Sequence, residues 1–217
     1  MTYSIAARCA HTGAYGIAIT SSSICVASRC AWVSRHGVVA TQNVTDPQLG
    51  ALGLLALADG LAADAVRARL IAATPHSAWR QLAVVGRDGP GAAHSGANAL
   101  PLAAISHAAD CVAMGNLLVN ELVPAAMTAR FSSLEGQPLA ERLLAALEAG
   151  LDAGGEIDDE HAAGLKVASG HDWPVVDLRV DWHEQPIAGL RSLWQRYAPQ
   201  QSAFIARALD PQSAPSF

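Results

Sequence analysis

Residues 1–20, MTYSIAARCAHTGAYGIAIT, contain two strand-like runs joined by a short turn. The runs cover residues 3–9 and 15–20, and the glycines of AHTGAYG between them favour a turn. Nearly every position of both runs is apolar or small, which is typical of a sheet covered on both faces. The stretch therefore predicts that the chain enters its core at once, with Thr2 at the start of a buried strand.

The composition restricts the class of protein. Of the 217 residues, 51% are hydrophobic and 15% are charged, which favours a folded domain over disorder. The net charge is -5, and no basic cluster suits the phosphates of a nucleic acid. No apolar run is long enough to cross a bilayer, and the N-terminus lacks the pattern of a signal peptide. We therefore expect a cytoplasmic protein without a nucleic-acid or membrane partner, whose four cysteines are reduced.

Strand-like and helix-like stretches alternate in blocks along the rest of the chain. CVASRCAWVSRHGVVATQ continues the strand-like texture to Gln42, and residues 47–75 then predict two consecutive helices. Further elements are predicted in this order: a hairpin around 87–89, a strand at 110–116, helices near 120–131 and 138–149, strands near 162–168 and 174–181, and a helix at 186–197.

This order lacks the regular strand–helix–strand alternation of a doubly wound parallel sheet. Two stacked, mainly antiparallel sheets with helices outside would keep both faces of each sheet dry. We therefore predict an α+β fold, a four-layer αββα sandwich, over residues 1–198. Residues 199–217 form a C-terminal tail in which QSAFIARAL favours one more short helix. Because a lone short helix is marginal in water, we expect this tail to dock on a second subunit of a homodimer.

The position of Thr2 suggests a specific chemistry. A hydroxyl is a weak nucleophile near neutral pH and needs an adjacent base. A threonine at the chain terminus carries that base itself, since an α-amino group has an ordinary pKa of about 7.7–8.0. Methionine before a small residue is normally cleaved, so removal of Met1 would make Thr2 the first residue. Judged from Met-Thr alone, a threonine without a catalytic role is the commoner outcome.

Several stretches give the chain a resemblance to a known family. They are TYSIAAR, HTGAYGIAITS, GVVATQ, DPQLGALGLLAL, WRQLAVVGRDG, AAHSG, MGNLL, PLAERLLAALEAG and VVDLRVDWHEQPIAGLRSL. Their order and spacing, up to about residue 197, resemble the bacterial family known as domain of unknown function 1028. The resemblance implies the αββα fold of the N-terminal nucleophile (Ntn) hydrolases, a superfamily whose members hydrolyse amide bonds.

The chain departs from the pattern of that family at two places. Ser22 stands where the family usually has an arginine, directly after the residue that we match to Ser21. The stretch GGEIDDEHAAGLKV carries Asp158, Asp159 and Glu160 where the family usually has basic residues. If the basic loop of the family holds an anionic substrate, this chain takes a different substrate or is an inactive relative.

Gly115 and Asn116 are the candidates for an oxyanion hole. They end a predicted strand, where a backbone amide or the Asn side chain can donate to a developing oxyanion. The alternative is a tight turn in which Asn116 caps the next helix.

Four other polar residues are candidates for substrate binding. Ser21 lies at the same predicted sheet edge as Thr2. Thr41 and Gln42 end a strand-like run and form either a pocket floor or the cap of the next turn. His94, in a strand of small residues, is either a satisfied core histidine or a pocket residue.

The sequence favours chemistry without a cofactor. The eight histidines are scattered, and neither a metal-ligand pattern nor a nucleotide-binding motif is present, so we expect no metal and no cofactor. A Ser-His-Asp triad assembled in space remains open, although no GxSxG turn is present. We expect hydrolysis of a C–N amide bond of a small molecule by acyl transfer through Thr2. The alternative is a catalytically silent binding or assembly protein that keeps the fold.

Overall fold

A computed structural model of the protein describes residues 2–215, so Met1, Ser216 and Phe217 lie outside the described residues. The strands within this range are β1 (Thr2–Arg8), β2 (Tyr15–Ser21), β3 (Ala31–Ser34), β4 (Gly37–Asn43), β5 (Arg80–Val85), β6 (Ala92–Ser95), β7 (Ala104–Ala108), β8 (Cys111–Asn116), β9 (Ala162–Ala168) and β10 (Pro174–Val180). The helices are α1 (Val26–Cys30), α2 (Pro47–Ala58), α3 (Ala63–Ala72), α4 (Val123–Ser133), α5 (Leu139–Asp152), α6 (Pro186–Tyr197) and α7 (Gln201–Leu209).

Local sequence features explain the confirmed elements. α2 begins at Pro47 because the side chain of Asp46 accepts a hydrogen bond from Gln48 N at 3.1 Å and caps the helix. α2 and α3 are the two predicted consecutive helices, and β5 and β6 are the arms of the predicted hairpin.

The strand-like prediction for residues 26–30 was wrong, because this segment forms α1. The amide and the hydroxyl of Ser28 both donate to Cys25 O, at 3.2 and 2.8 Å, which closes the turn. Short-range hydrogen bonds of this kind override a weak strand propensity.

The strands form two antiparallel sheets. The order is β10-β9-β2-β1-β8-β7 in the first sheet and β3-β4-β5-β6 in the second. β1 therefore lies between β2 and β8, with Tyr3 opposite Thr20 on one side and Gly115 on the other. The first residues of the chain are in the interior of the larger sheet, as the opening stretch predicts.

Three apolar clusters hold these elements together. The first packs one face of the larger sheet, through residues such as Ile5, against α4, α5 and α6. The second lies between the two sheets and includes Ile17 and Val112. The third packs the smaller sheet against α2 and α3 and includes Leu70. Alternation along each strand separates the faces, so that Ile5 faces the helices while Ala6 faces the second sheet.

The C-terminal tail contains the expected short helix, α7. Its Phe204 ring stacks on Tyr197 of α6, with ring centroids 5.5 Å apart, and Ile205 packs against the first cluster. The tail thus contacts its own domain, and its docking on a second subunit stays a prediction. None of the helices within residues 2–215 is long and apolar enough to span a membrane.

Candidate functional site

Polar side chains replace the apolar layer between the sheets at one end of the molecule. The set, called here the polar end, consists of Thr2, Ser4, Ser21, Gln42, Gln81 and Asn116, and all six are buried. Thr2 lies opposite Asn116 in register across β1 and β8. On its other side, Thr2 Oγ1 is 3.4 Å from Ser21 Oγ, at the end of β2. The predicted nucleophile and two predicted partners therefore lie together.

A chain of amides links the two sheets at the polar end. Ser4 Oγ donates to Gln42 Oε1 at 2.8 Å, and Gln42 Nε2 donates to Gln81 Oε1 at 2.7 Å. The same Gln81 Oε1 accepts from Asn116 Nδ2 at 3.0 Å, while Gln81 Nε2 donates to Gly115 O at 2.9 Å. The network fixes the rotamer of Asn116, because its amide nitrogen has a defined acceptor.

Gly115 has a packing role in this arrangement. It is paired with Tyr3 on one side and with Ala104 on the other, within the larger sheet. A Cβ atom at this position would lie 2.7 Å from a methyl of Leu118, so any other residue would force the buried Leu118 side chain to shift. Its carbonyl, which accepts from Gln81, orients the amide network. Asn116 does not cap the next helix, α4, whose N-cap residue is Leu122.

Backbone strain marks the same end of the molecule. Among residues 2–215, the non-glycine residues with positive φ are Cys25 (57°), Asn43 (70°) and Leu117 (51°). Asn43 and Leu117 directly follow Gln42 and Asn116, and Cys25 lies four residues after the end of β2. Left-handed backbone is costly at residues such as Leu117 and Cys25, where it concentrates at functional sites, whereas asparagine adopts it readily. Its clustering here supports a functional role for the polar end.

A buried carboxylate closes one side of the polar end. Glu156 Oε2 accepts from Ser22 N at 3.1 Å, and the residue is 5% exposed. Burial raises the pKa of Glu156 to about 8, against the opposing hydrogen bond from Ser22. The nearby carboxylate of Glu160 also raises this pKa. Glu156 is thus a titratable group near neutral pH beside Ser21, as proton-handling residues often are.

The acidic loop, residues 156–160, lies between two surface cavities. One cavity, of about 660 Å³, is lined by Ser22, Ser23, Ile157, Asp158, Asp159 and His161. The other, of about 450 Å³, is lined by Leu151, Asp159, Glu160 and residues 184–188. Asp158 and Asp159 are exposed to these cavities, whereas Glu156 is buried behind them. The loop therefore borders the surface directly above Ser21.

Two predicted site residues lie elsewhere. The side chains of Thr41 and His94 share the outer face of the second sheet with Leu82, away from Gln42 and Thr2. Thr41 serves the following turn: its carbonyl accepts from Thr45 Oγ1 at 2.7 Å. His94 Nε2 is 3.0 Å from Ser77 O, as in a satisfied structural histidine. The structure does not bring either residue to Thr2.

Three residues of the site, Ser4, Gln81 and Glu156, were not among the predicted site residues. Gln81 follows an arginine in RQLAVVG, and its strand was predicted without a register. Gln81 lies opposite Gln42 in the second sheet. The sequence signal that could have identified Gln81 is a glutamine in an otherwise apolar strand. Glu156 lies in the acidic stretch GGEIDDEHAAGLKV, and nothing in the sequence distinguishes its buried carboxylate from the exposed ones of Asp158 and Asp159.

The described part of the chain offers no evident metal site. No group of three or more His, Cys, Asp or Glu side chains in residues 2–215 is placed to hold a metal ion. The polar end consists instead of hydroxyls and amides, with the carboxyl group of Glu156 beside it, and these groups suit hydrogen bonding and proton transfer.

Comparisons with known proteins agree on one family. A crystal structure of a protein from Silicibacter pomeroyi, assigned to DUF1028, superimposes with a TM-score of 0.83 and is 30% identical, over 91% of this chain and 89% of that chain. No curated protein matches the chain. Residues 2–190 match the model of the family of unknown function DUF1028. Because that match covers most of the sequence, the chain belongs to the DUF1028 family.

Proposed function

We propose that this protein is an amidohydrolase that cleaves a C–N amide bond of a small molecule, with Thr2 as an N-terminal nucleophile. The proposal includes a four-layer αββα sandwich of the Ntn-hydrolase type. The three apolar clusters support this architecture, since they connect helices, sheet, sheet and helices in that order. An Ntn-type site would lie between the sheets at the start of the first strand, where Thr2 is found.

The observation that carries the proposal is the convergence of Thr2, Ser21 and Asn116 at the polar end. A buried layer between two sheets is normally apolar, because polar groups there need a partner for every donor and acceptor. Here the chain maintains a connected amide network beside a threonine hydroxyl and tolerates strained backbone around it. Such costs are typical of functional sites.

The proposed reaction has two steps. Thr2 Oγ1 attacks the carbonyl carbon of the amide while the α-amino group of Thr2 accepts the hydroxyl proton. The C–N bond then breaks, the leaving amine takes that proton, and an ester on Thr2 remains. Water hydrolyses the ester, releases the acid and restores the hydroxyl. Asn116 Nδ2 is the proposed donor to the oxyanion, held in place by Gln81.

The mechanism requires that Met1 be removed, and Met1 lies outside the described residues. We also propose that the protein acts in the cytoplasm as a homodimer. Its proposed partner is a small-molecule amide, and no nucleic acid or membrane takes part.

A second candidate function is binding or assembly without catalysis. Thr2 is 5% exposed and Asn116 is fully buried, so a substrate carbonyl has little access to either in this conformation. In that case the polar end would specify the pairing of the two sheets rather than catalyse a reaction.

Intact-mass analysis and a nucleophile variant separate the two functions. An enzyme of the proposed type should lack Met1, hydrolyse members of an amide panel, and lose turnover at least about 1000-fold in Thr2→Ala with little change in Tm. Thr2→Ser is the matched variant, because it keeps a hydroxyl and should retain measurable turnover. Wild-type rates in Thr2→Ala would remove Thr2 from the mechanism. A wild-type chain that retains Met1 and hydrolyses no amide would favour the binding function.

A further inference from the structure

The segment that contains Glu156 crosses the start of β1. On the β8 side, Leu118 pairs with Glu156 as an antiparallel bridge, and Val119 N donates to Gly155 O at 3.1 Å. On the β2 side, Glu156 Oε2 accepts from Ser22 N at 3.1 Å. Since β1 lies between β8 and β2, Glu156 extends from one neighbour of β1 to the other, across the end at which β1 begins.

Two buried acceptors without a partner face this region. Within residues 2–215, the buried side-chain atoms that make no hydrogen bond are Tyr3 Oη, Arg80 Nε, Asn116 Oδ1 and Glu156 Oε1. Asn116 lies opposite Thr2 in register, and Glu156 crosses the strand end next to Thr2. A buried acceptor left without a donor costs about 1–3 kcal/mol. Two such acceptors around one strand end indicate that a donor with several N–H groups belongs between them.

The chain itself can supply such a donor. The backbone nitrogen of Thr2 carries one N–H and no charge while it remains in a peptide bond. Removal of Met1 converts it to an ammonium group with three N–H donors and a positive charge. An ammonium group can satisfy two acceptors at once, and its charge compensates a buried carboxylate.

We propose that Glu156 and Asn116 are positioning residues that hold the α-amino group of Thr2 after Met1 has been removed. This inference rests on the proposed function, because it assigns the contacts of the base in that mechanism. Glu156 Oε1 and Asn116 Oδ1 accept from the amine and direct it toward Thr2 Oγ1. In this role Asn116 uses both ends of its side chain, since Nδ2 remains bonded to Gln81.

The charges around Glu156 suit a shared proton. Glu160 Oε1 accepts from Glu156 N at 3.2 Å. Tyr3, on β1, lies near these carboxylates. Burial is the main cause that raises the pKa of its hydroxyl, and the charges of Glu160, Glu156 and Asp152 raise it further. Burial places the pKa of Glu156 itself at about 8, close to the ordinary range of an α-amino group, about 7.7–8.0. The carboxyl group and the amine would therefore titrate as a coupled pair that shares a proton.

The test measures the amine directly. Protein without Met1, completed by treatment with a methionine aminopeptidase and verified by intact mass, is labelled with ¹⁵N-threonine, and the Thr2 amine is titrated by NMR. A carboxylate within about 4–6 Å raises the pKa of an amine, so Glu156→Gln should lower it by about 1 unit or more. Asp158→Asn, in the same loop but exposed, is the matched control and should change it much less.

The outcomes distinguish this inference from the hydrolase proposal. An amine pKa equal to wild type in folded Glu156→Gln overturns the contact, whatever the turnover. If Glu156→Gln does not fold, Glu156→Asp keeps the charge but shortens the side chain. It should lower the pKa by less, and an unchanged pKa would again overturn the inference. A shifted pKa in a protein that hydrolyses no amide supports the contact and refutes the hydrolase.

Discussion

The two ends of the layer between the sheets differ although the same strands build both. Toward one end the inward-facing residues are apolar: Ala6, Ile17, Val38, Val85 and Val112. A few residues along the same strands and on the same face, they become the six residues of the polar end. The change occurs at one side of the molecule on β1, β2, β4, β5 and β8 together. Burial of apolar surface alone does not explain a change on all five strands at one end.

The difference separates stability from function. Each apolar residue gains about 25 cal/mol per Å² of buried apolar surface and needs no specific partner. The buried amides contribute little net stability, because their hydrogen bonds within the protein replace those that they made with water in the unfolded chain. Each of them must also remain paired. The apolar end therefore accounts for most of the stability of this layer, while under the proposed function the polar end holds the arrangement that serves the reaction. Substitutions at each end should break different properties.

The largest effect on stability is expected at the apolar end. Ile17→Ala removes a fully buried side chain and should lower the free energy of unfolding by about 2–5 kcal/mol. Turnover per folded molecule should stay at the wild-type value, in contrast to Thr2→Ala. Denaturant titration measures the free energy of unfolding, and activity corrected for the folded fraction measures the turnover. Ile24→Ala is the control, because Ile24 is 55% exposed. It should change neither the free energy of unfolding nor the turnover.

An intermediate effect is expected when the amide network is cut. Gln81→Met keeps the volume but removes the hydrogen bonds that Gln81 makes with Gln42 Nε2, Asn116 Nδ2 and Gly115 O. Gln42 Nε2 is then left with only the longer contacts to Thr2 O and Met114 O. The loss of stability should be about 1–3 kcal/mol, with a larger proportional fall in kcat because Asn116 loses its orientation.

Gln48→Met is the control for this variant, because Gln48 is exposed on α2. Equal behaviour of Gln81→Met and Gln48→Met in thermal melts and turnover would show that the network contributes to neither property.

Most of the fold follows from sequence patterns, because hydrophobic spacing and local turn chemistry act over a few residues. Pro47 and Pro186 mark helix starts, and the hairpin between β5 and β6 follows from its glycines. β7 and α1 were missed. β7 has a mixed burial pattern, and α1 depends on local hydrogen bonds at Ser28 rather than on periodicity.

The site was predicted in part. Strand pairing and sheet register explain which site residues were predicted correctly and which were not. Thr2, Ser21 and Asn116 lie near the ends of neighbouring strands, so their approach follows from antiparallel pairing. Gln42 approaches them from the second sheet, and the stacking of two sheets is not visible in the pattern of one strand. The face on which a residue lies depends on a register that one sequence does not specify, and a shift by one residue reverses it. Thr41 points away because adjacent residues of a strand lie on opposite faces, and one sequence does not show which of Thr41 and Gln42 faces the other sheet.

A smaller effect is expected from the exposed acids of the loop above the polar end. Asp158→Arg with Asp159→Arg should change the ratio of kcat/KM for anionic over neutral amides by about tenfold in favour of the anionic ones, with little change in Tm. The reason is attraction at the cavity beside Ser22, which both residues line. Asp59→Arg with Asp64→Arg alters the net charge equally at exposed positions elsewhere. Identical selectivity in the two double variants would make the loop a solvated turn.

Changes in the C-terminal tail are expected to have the smallest effect on the layer between the sheets, because the tail contacts neither its apolar end nor its polar end. Deletion of residues 199–217 removes α7, whose residues are all at least partly exposed and include Phe204 at 37%. Because so short a helix needs a surface to dock on, and its own domain covers only part of it, we expect the deletion to convert a homodimer to a monomer. Light scattering measures the mass, and deletion of residues 211–217, which keeps α7, should leave the dimer intact. A dimer that survives both deletions would limit the tail to its contacts with Tyr197 and the first cluster.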